Sequence, residues 1–141
     1  MSGERPAFHL AFPVHDLEAT RRFYVDVLGC REGRSAERWV DFDFQGHQLS
    51  AHLRPGEAGD VATNEVDGDA VPIPHFGLVL DMDAWEAMVE RIRSHGVAFT
   101  IGPRVRFAGE AGEQGTFFVR DPSGNAVEVK GFRDLDSVFA T

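Results

Sequence analysis

Cysteine is nearly absent from this 141-residue sequence. Cys30 stands alone, so no intrachain disulfide can form and no thiolate cluster can hold a metal. Long apolar runs are missing too: no stretch of about 18 apolar residues occurs, which leaves no membrane-spanning helix to expect. The opening MSGERPAF lacks the basic-then-apolar pattern of an export signal, and a cytoplasmic location is the expectation. Positive charge is scarce, with 14 Lys and Arg against 23 Asp and Glu, a formal charge of −9. Phosphate backbones and anionic lipid draw on net basic surface, so neither nucleic acid nor membrane is an expected partner. What is present is a chain of 43% hydrophobic residues, enough for one compact domain or two very small ones.

FHLAFPV (8–14) reads as a strand. Period two puts Phe8, Leu10, Phe12 and Val14 on one face, and His9, Ala11 and Pro13 on the other. Asp16 is a good N-cap for a helix in which Leu17, Thr20, Phe23, Tyr24, Val27 and Leu28 recur at helical spacing, with Gly29 at its C-cap. WVDFDFQ (39–45) and HQLSAHL (47–53) alternate as strands joined at Gly46. Residues 54–74 are acidic, rich in Gly and Pro, and read as a linker or surface loop. The pattern then restarts. PHFGLVL (74–80) places Phe76, Leu78 and Leu80 on one face and His75, Gly77 and Val79 on the other. Asp83 and Glu86 form a capping-box-like pair, Trp85, Met88, Val89 and Ile92 an apolar stripe, and Gly96 a stop. VAFTI (97–101), TFFVR (116–120) and NAVEVKGF (125–132) complete the strands, with Asp-Pro-Ser-Gly at 121–124 turning between the last two.

The two halves look duplicated. His9 to His75 is 66 residues, Asp16 to Asp83 is 67, and Gly29 to Gly96 is 67. Each half therefore reads as strand–helix–strand–strand–strand, with the helix on the apolar face of a small sheet. The other face stays open. On the last strand of the first half it carries Gln48, Ser50 and His52; on that of the second half, Ala126, Glu128 and Lys130. Duplication pairs His9 with His75, and His52 with Glu128. The latter pair lies 76 residues apart, with the extra length assigned to the loop GPRVRFAGEAGEQG.

Imidazole nitrogens and a carboxylate converging in a cleft suit a divalent transition metal. His9, His75 and Glu128 are the expected ligands. His52 is a fourth ligand or a proton carrier beside the metal. A lone inward histidine in a small sheet is more often a hydrogen-bonded core or cavity residue than a ligand; His9, His75 and Glu128 together, at symmetric positions, reverse that in favour of the metal. His15 and His95 fall at helix ends and read as capping or surface residues, and His47 has the parity of a hairpin position. Arg104 and Arg106 either meet an anionic substrate or are solvated in a loop. Trp39 and Phe117 either line a pocket or pack.

FHLAFPVHDLEATRRFYVDVLGC, PHFGLVL and DPSGNAVEV resemble the vicinal oxygen chelate superfamily of glyoxalase I, bleomycin-resistance proteins and extradiol dioxygenases, over most of residues 8–132. The resemblance implies an α+β fold: two βαβββ modules forming an open, cup-shaped mixed sheet with helices outside. Module one would cover about 8–53, the linker 54–74, module two 75–132 and a C-terminal tail 133–141, all within one domain. It also implies metal-ligand positions at His9, His75 and Glu128, and possible homodimerisation.

Two departures bear on the reaction. Glyoxalase I-like enzymes usually hold a carboxylate where His52 is placed here. The tyrosine and upstream histidine of extradiol ring cleavage are replaced by Phe118 and the histidine-free AGEQGT. A 2-His-1-carboxylate set leaves sites open on Fe(II), so a dioxygenase acting on a small molecule with two adjacent oxygens leads. A lyase or isomerase using Mn, Ni or Zn, and a non-catalytic binding or resistance protein, are its rivals.

Overall fold

Strand β1 spans His9–Val14; Phe12 and Val14 are buried as the alternation predicts, whereas Phe8, just before it, is 62% exposed. The structure, a computed structural model, describes residues 5–58, 62–66 and 68–140. Its contacts fall into two units, Met1–Gly59 with Asp121–Ser123, and Asp60–Arg120 with Gly124–Thr141.

In the first unit the Asp16 carboxylate accepts from the Ala19 N–H at 3.0 Å and starts α1, Leu17–Arg21. The helix then widens into a π-helical segment over Arg22–Val27, which keeps Phe23, Tyr24 and Val27 buried. Gly29, at φ +79°, ends it as its letter predicts. Strands β2 (Arg31–Ala36), β3 (Trp39–Phe44) and β4 (His47–Leu53) follow, in the order β1-β4-β3-β2. β1 and β4 run parallel, and the other pairs antiparallel. Every residue of β2 is exposed, so hydrophobic periodicity does not reveal it; backbone pairing to β3 does.

Tyr24 anchors this unit. Its ring stacks on Phe42 at 5.2 Å and its hydroxyl donates to Asp121 Oδ2 at 2.9 Å, both groups being buried. Burial first, and the Asp121 charge second, hold the phenol well above its ordinary range. A raised folded-state value means that this stabilisation is complete below the unfolded phenol's value, about 10, and is lost as pH rises beyond it. We expect Tyr24→Phe to cost about 1–3 kcal/mol at neutral pH. Urea unfolding should show the gap to wild type closing above about pH 10.

In the second unit, β5 (Ala62–Val66) and β6 (Asp69–Ile73) form an antiparallel hairpin where a linker was expected. Val66 pairs with Asp69, and Gly68 takes φ +86°, so the Asp-Gly letters were the missed signal. The expected strand at 74–80 is broken into β7 (His75–Phe76) and β8 (Val79–Asp81), both parallel to β11 (Ala126–Phe132). Helix α2 spans Met82–Ser94 and is capped by Asp81, which accepts from the Ala84 N–H at 2.8 Å; Asp83 lies inside the first turn. The cap-to-cap interval is therefore 65 residues, 16 to 81, rather than 67.

Residues 97–100 are not a strand. β9 is instead Ile101–Arg106, which after Ile101 runs inside the expected loop, and pairs with β10 (Gln114–Arg120). Its Gly102 and Pro103 fall at a register shift on an edge strand, where proline is tolerated. The sheet order is β7-β11-β10-β9, with β8 also on β11. Trp85 fastens α2 to this sheet: its indole N–H donates to the Val129 carbonyl at 3.0 Å, and a Cβ at Gly131 would lie 2.5 Å from it. Phe117 is fully buried against Trp85, so it packs rather than lines a pocket. The tail forms one 3-10 turn at Leu135–Ser137. No described helix is long and apolar enough to cross a membrane.

Candidate metal centre

Strand β11 presents Glu128 on the sheet face away from α2, and β7 brings His75 beside it. His75 Nε2 and Glu128 Oε1 are 3.0 Å apart, with side chains 25% and 12% exposed. The partners on their far sides fix which atoms carry lone pairs. His75 Nδ1 is 2.7 Å from the Pro72 carbonyl, which can only accept, so Nδ1 holds the proton and a neutral ring bares its lone pair at Nε2. The Thr116 hydroxyl donates to Glu128 Oε2, leaving Oε1 to face His75. Phe118 meets the imidazole edge-on at 5.0 Å and limits its rotation.

Two acceptors at this distance need a cation, either a proton or a metal ion. Donors each about 2.1 Å from one ion and about 90° apart lie about 3.0 Å from each other, so the pair has the spacing of two neighbouring donors to one metal ion.

In the first unit the same logic fixes His9. Gln48 Nε2 donates to Asp41 Oδ2 at 3.3 Å, which turns the amide oxygen toward His9 Nδ1, 2.8 Å away. His9 Nδ1 therefore carries the proton, and its Nε2 is bare. Each histidine of the expected pair is held through Nδ1 on an oxygen, as ligand histidines are.

The registers correct the pairing of His52 with Glu128. His9 is level with Gln48, Ala11 with Ser50, and Pro13 with His52. His75 is level with Ala126 and Val79 with Lys130, which sets Glu128 two positions past His75's partner. Ser50 is therefore the counterpart of Glu128, and His52 that of Lys130. Ser50 is 6% exposed and donates to Asp41 Oδ1 at 2.6 Å. Strand parity gave the correct face, but face alone does not distinguish positions two residues apart.

The structure thus brings His75 and Glu128 together. Among the described residues no group of three or more His, Cys, Asp or Glu side chains stands ready to hold a metal. His52 is exposed on β4. His95 caps the end of α2 through Arg91 O at 2.9 Å, and His47 Nδ1 accepts from the Phe8 N–H at 3.0 Å. His15 Nε2 lies 2.8 Å from the Ala58 carbonyl. Arg104 is not free for a substrate: it grips Asp69 with two hydrogen bonds of 2.5 and 2.6 Å. Thr116 escaped the sequence reading, although a polar residue at the open-face parity of β10 was its signal.

A cavity of about 780 Å³ opens within the second unit, bounded by the β5–β6 hairpin and strands β9 to β11. Val71, Ile101 and Phe118 form its buried apolar floor, and His75, Glu128 and Thr116 lie on its wall. The volume suits a small organic ligand.

Residues 7–129 match the family model described as the Glyoxalase/Bleomycin resistance protein/Dioxygenase superfamily. The chain belongs to this superfamily. A glyoxalase/bleomycin resistance protein/dioxygenase of Alicyclobacillus acidocaldarius has a crystal structure with TM-score 0.76 and 33% identity, covering 99% of this chain and 100% of that one. A virulence protein of Salmonella typhimurium is 26% identical over 121 residues, 86% of this chain and 80% of its own. Lactoylglutathione lyase of Agrobacterium tumefaciens shares the glyoxalase fold at TM-score 0.64 and 21% identity, over 92% and 96% of the two chains. The mixed α+β architecture is thus that of the glyoxalase superfamily, which includes many enzymes and generally binds divalent metals.

Proposed function

We propose that the protein is a divalent-metal-dependent enzyme of the glyoxalase/dioxygenase type, acting on a small molecule with two neighbouring oxygens, and that it is a dioxygenase. The observation that carries this reading is the approach of His75 Nε2 to Glu128 Oε1, 3.0 Å apart, with Nδ1 of the same ring held at the Pro72 carbonyl. His9, with its bare Nε2, is the third donor we assign. Ser50 offers no carboxylate at the strand position matching Glu128 and has given its hydroxyl to Asp41. Two imidazoles and one carboxylate are the donor set of non-haem Fe(II) oxygenases, with Mn, Ni and Zn as alternatives. A bound ion would supply Lewis acidity and open positions for the substrate's oxygens.

The chain's own residues do the rest. Thr116 and the Pro72 carbonyl orient the donors, while Val71, Ile101 and Phe118 exclude water from the cavity floor. His52 is proposed as the proton carrier rather than as a ligand. A lyase or isomerase of the glyoxalase type is the alternative reaction on the same donors. The apolar-floored cavity also favours a second reading, a non-catalytic small-molecule binding protein.

Anaerobic purification and titration with Fe(II), Mn, Ni and Zn test the proposal, followed by oxygen uptake with vicinal diols and hydroxyketones. We expect about one Fe(II) per chain and substrate-dependent oxygen consumption. Metal binding without oxygen uptake moves the assignment to the lyase or isomerase. No binding of any of the four ions leaves the binding-protein reading.

A further inference from the structure

We infer that the cavity of the second unit takes a small organic anion, whose acid group is held by Lys130 and whose hydrocarbon part lies on Val71, Ile101 and Phe118. The inference extends the metal-enzyme reading, and rests on it only for the end of the ligand that meets His75 and Glu128. Lys130 and Glu128 share one face of β11 two residues apart, a spacing of about 6.5–7 Å. Both line the cavity.

The other charges there are already committed. Arg104 and Asp69 neutralise each other through paired hydrogen bonds. Glu128 faces Thr116 and His75 through its two oxygens. Arg106 lies over the Phe107 ring at 5.2 Å. Lys130 is exposed and has no ion-pair partner among the described residues.

A cavity wall with an uncommitted ammonium beside a buried apolar floor matches an amphiphilic anion. A neutral ligand of the same shape would gain no charge–charge attraction from that ammonium. The chain as a whole carries −9, so selectivity for an anion has to come from a local cation of this kind rather than from the general field.

Calorimetric titration of the chelator-treated full-length protein tests this, because removing metal prevents an ion from supplying the preference. The probes are hexanoate and benzoate, with hexanamide and benzamide as neutral counterparts. We expect each acid to bind about tenfold more tightly than its amide. Lys130→Met should erase that difference and Lys130→Arg should keep it, with metal uptake by Lys130→Met equal to wild type. The inference is overturned if wild type binds neither acid saturably, if it shows no preference for acids, or if Lys130→Met retains the preference. Wild type that prefers acids but takes up no metal would keep this inference and remove the metal-enzyme reading; metal uptake without acid preference would do the reverse.

Discussion

Glu128→Gln should severely weaken divalent-metal binding while leaving the fold intact. The amide has the shape of the carboxylate. Its oxygen can still accept from Thr116, and its NH2 can donate to the bare Nε2 of His75, so no polar group is stranded. What it cannot supply is an anionic oxygen beside that nitrogen. We expect metal affinity to fall by more than about a hundredfold, exceeding the 10–100-fold typical of losing a group one step removed from a metal. Thr116→Val is that smaller loss: it removes only the hydroxyl that orients Oε2, and about 10–100-fold is expected. Competition titration with a chelating dye, alongside thermal unfolding of the metal-free proteins, measures both. If the His75–Glu128 contact is only a proton-shared ion pair, neither substitution will alter metal affinity, and Glu128→Gln will show itself in stability alone.

The sequence reading succeeded where a side-chain pattern and a backbone event share a physical cause. Asp16 and Gly29 mark the first helix because a carboxylate satisfies a free N–H and a glycine accepts φ +79°. The stripe Trp85, Met88, Val89 and Ile92 is buried because α2 covers one sheet face. It failed where the backbone alone decides. β2 is exposed throughout and β9 begins IGP, so neither shows periodicity, yet both pair as edge strands. Asp81 and Asp83 are equivalent as letters; only the extended backbone at 81, φ −69° and ψ 163°, makes it the cap.

The site divides along the same line. Parity put His9, Gln48, Ser50 and His52 on one face, and Ala126, Glu128 and Lys130 on another, but register between strands assigns Ser50 and not His52 to the position of Glu128. A register is set by how two distant segments slide against each other, and no local pattern in either one records it. The tautomers of His9 and His75 were equally unreadable. They depend on Gln48, Asp41 and the Pro72 carbonyl as placed by the folded chain.

The second large effect concerns Gly77, between β7 and β8. A Cβ built there would lie 1.5 Å from the Glu128 carbonyl oxygen and 2.6 Å from its carbon. Those are backbone atoms of β11, so no rotamer change relieves the contact. The strands must separate at the point where His75 and Glu128 are held in register. We expect Gly77→Ala to destabilise by at least about 3 kcal/mol, with a chain that fails to fold as the extreme of the same result. Gly102→Ala is the control, because nothing beyond its chain neighbours lies within 4 Å of a Cβ there; a change within about 0.5 kcal/mol is expected. Urea unfolding and metal titration on the same samples carry the argument further. The obstructing atoms belong to the residue that bears the carboxylate, so Gly77→Ala should lower stability and metal affinity together, whereas Glu128→Gln should separate them. A Gly77→Ala protein as stable as wild type would mean that β7 does not approach β11 closely at Glu128, and the facing lone pairs would lose the backbone contact that sets their distance.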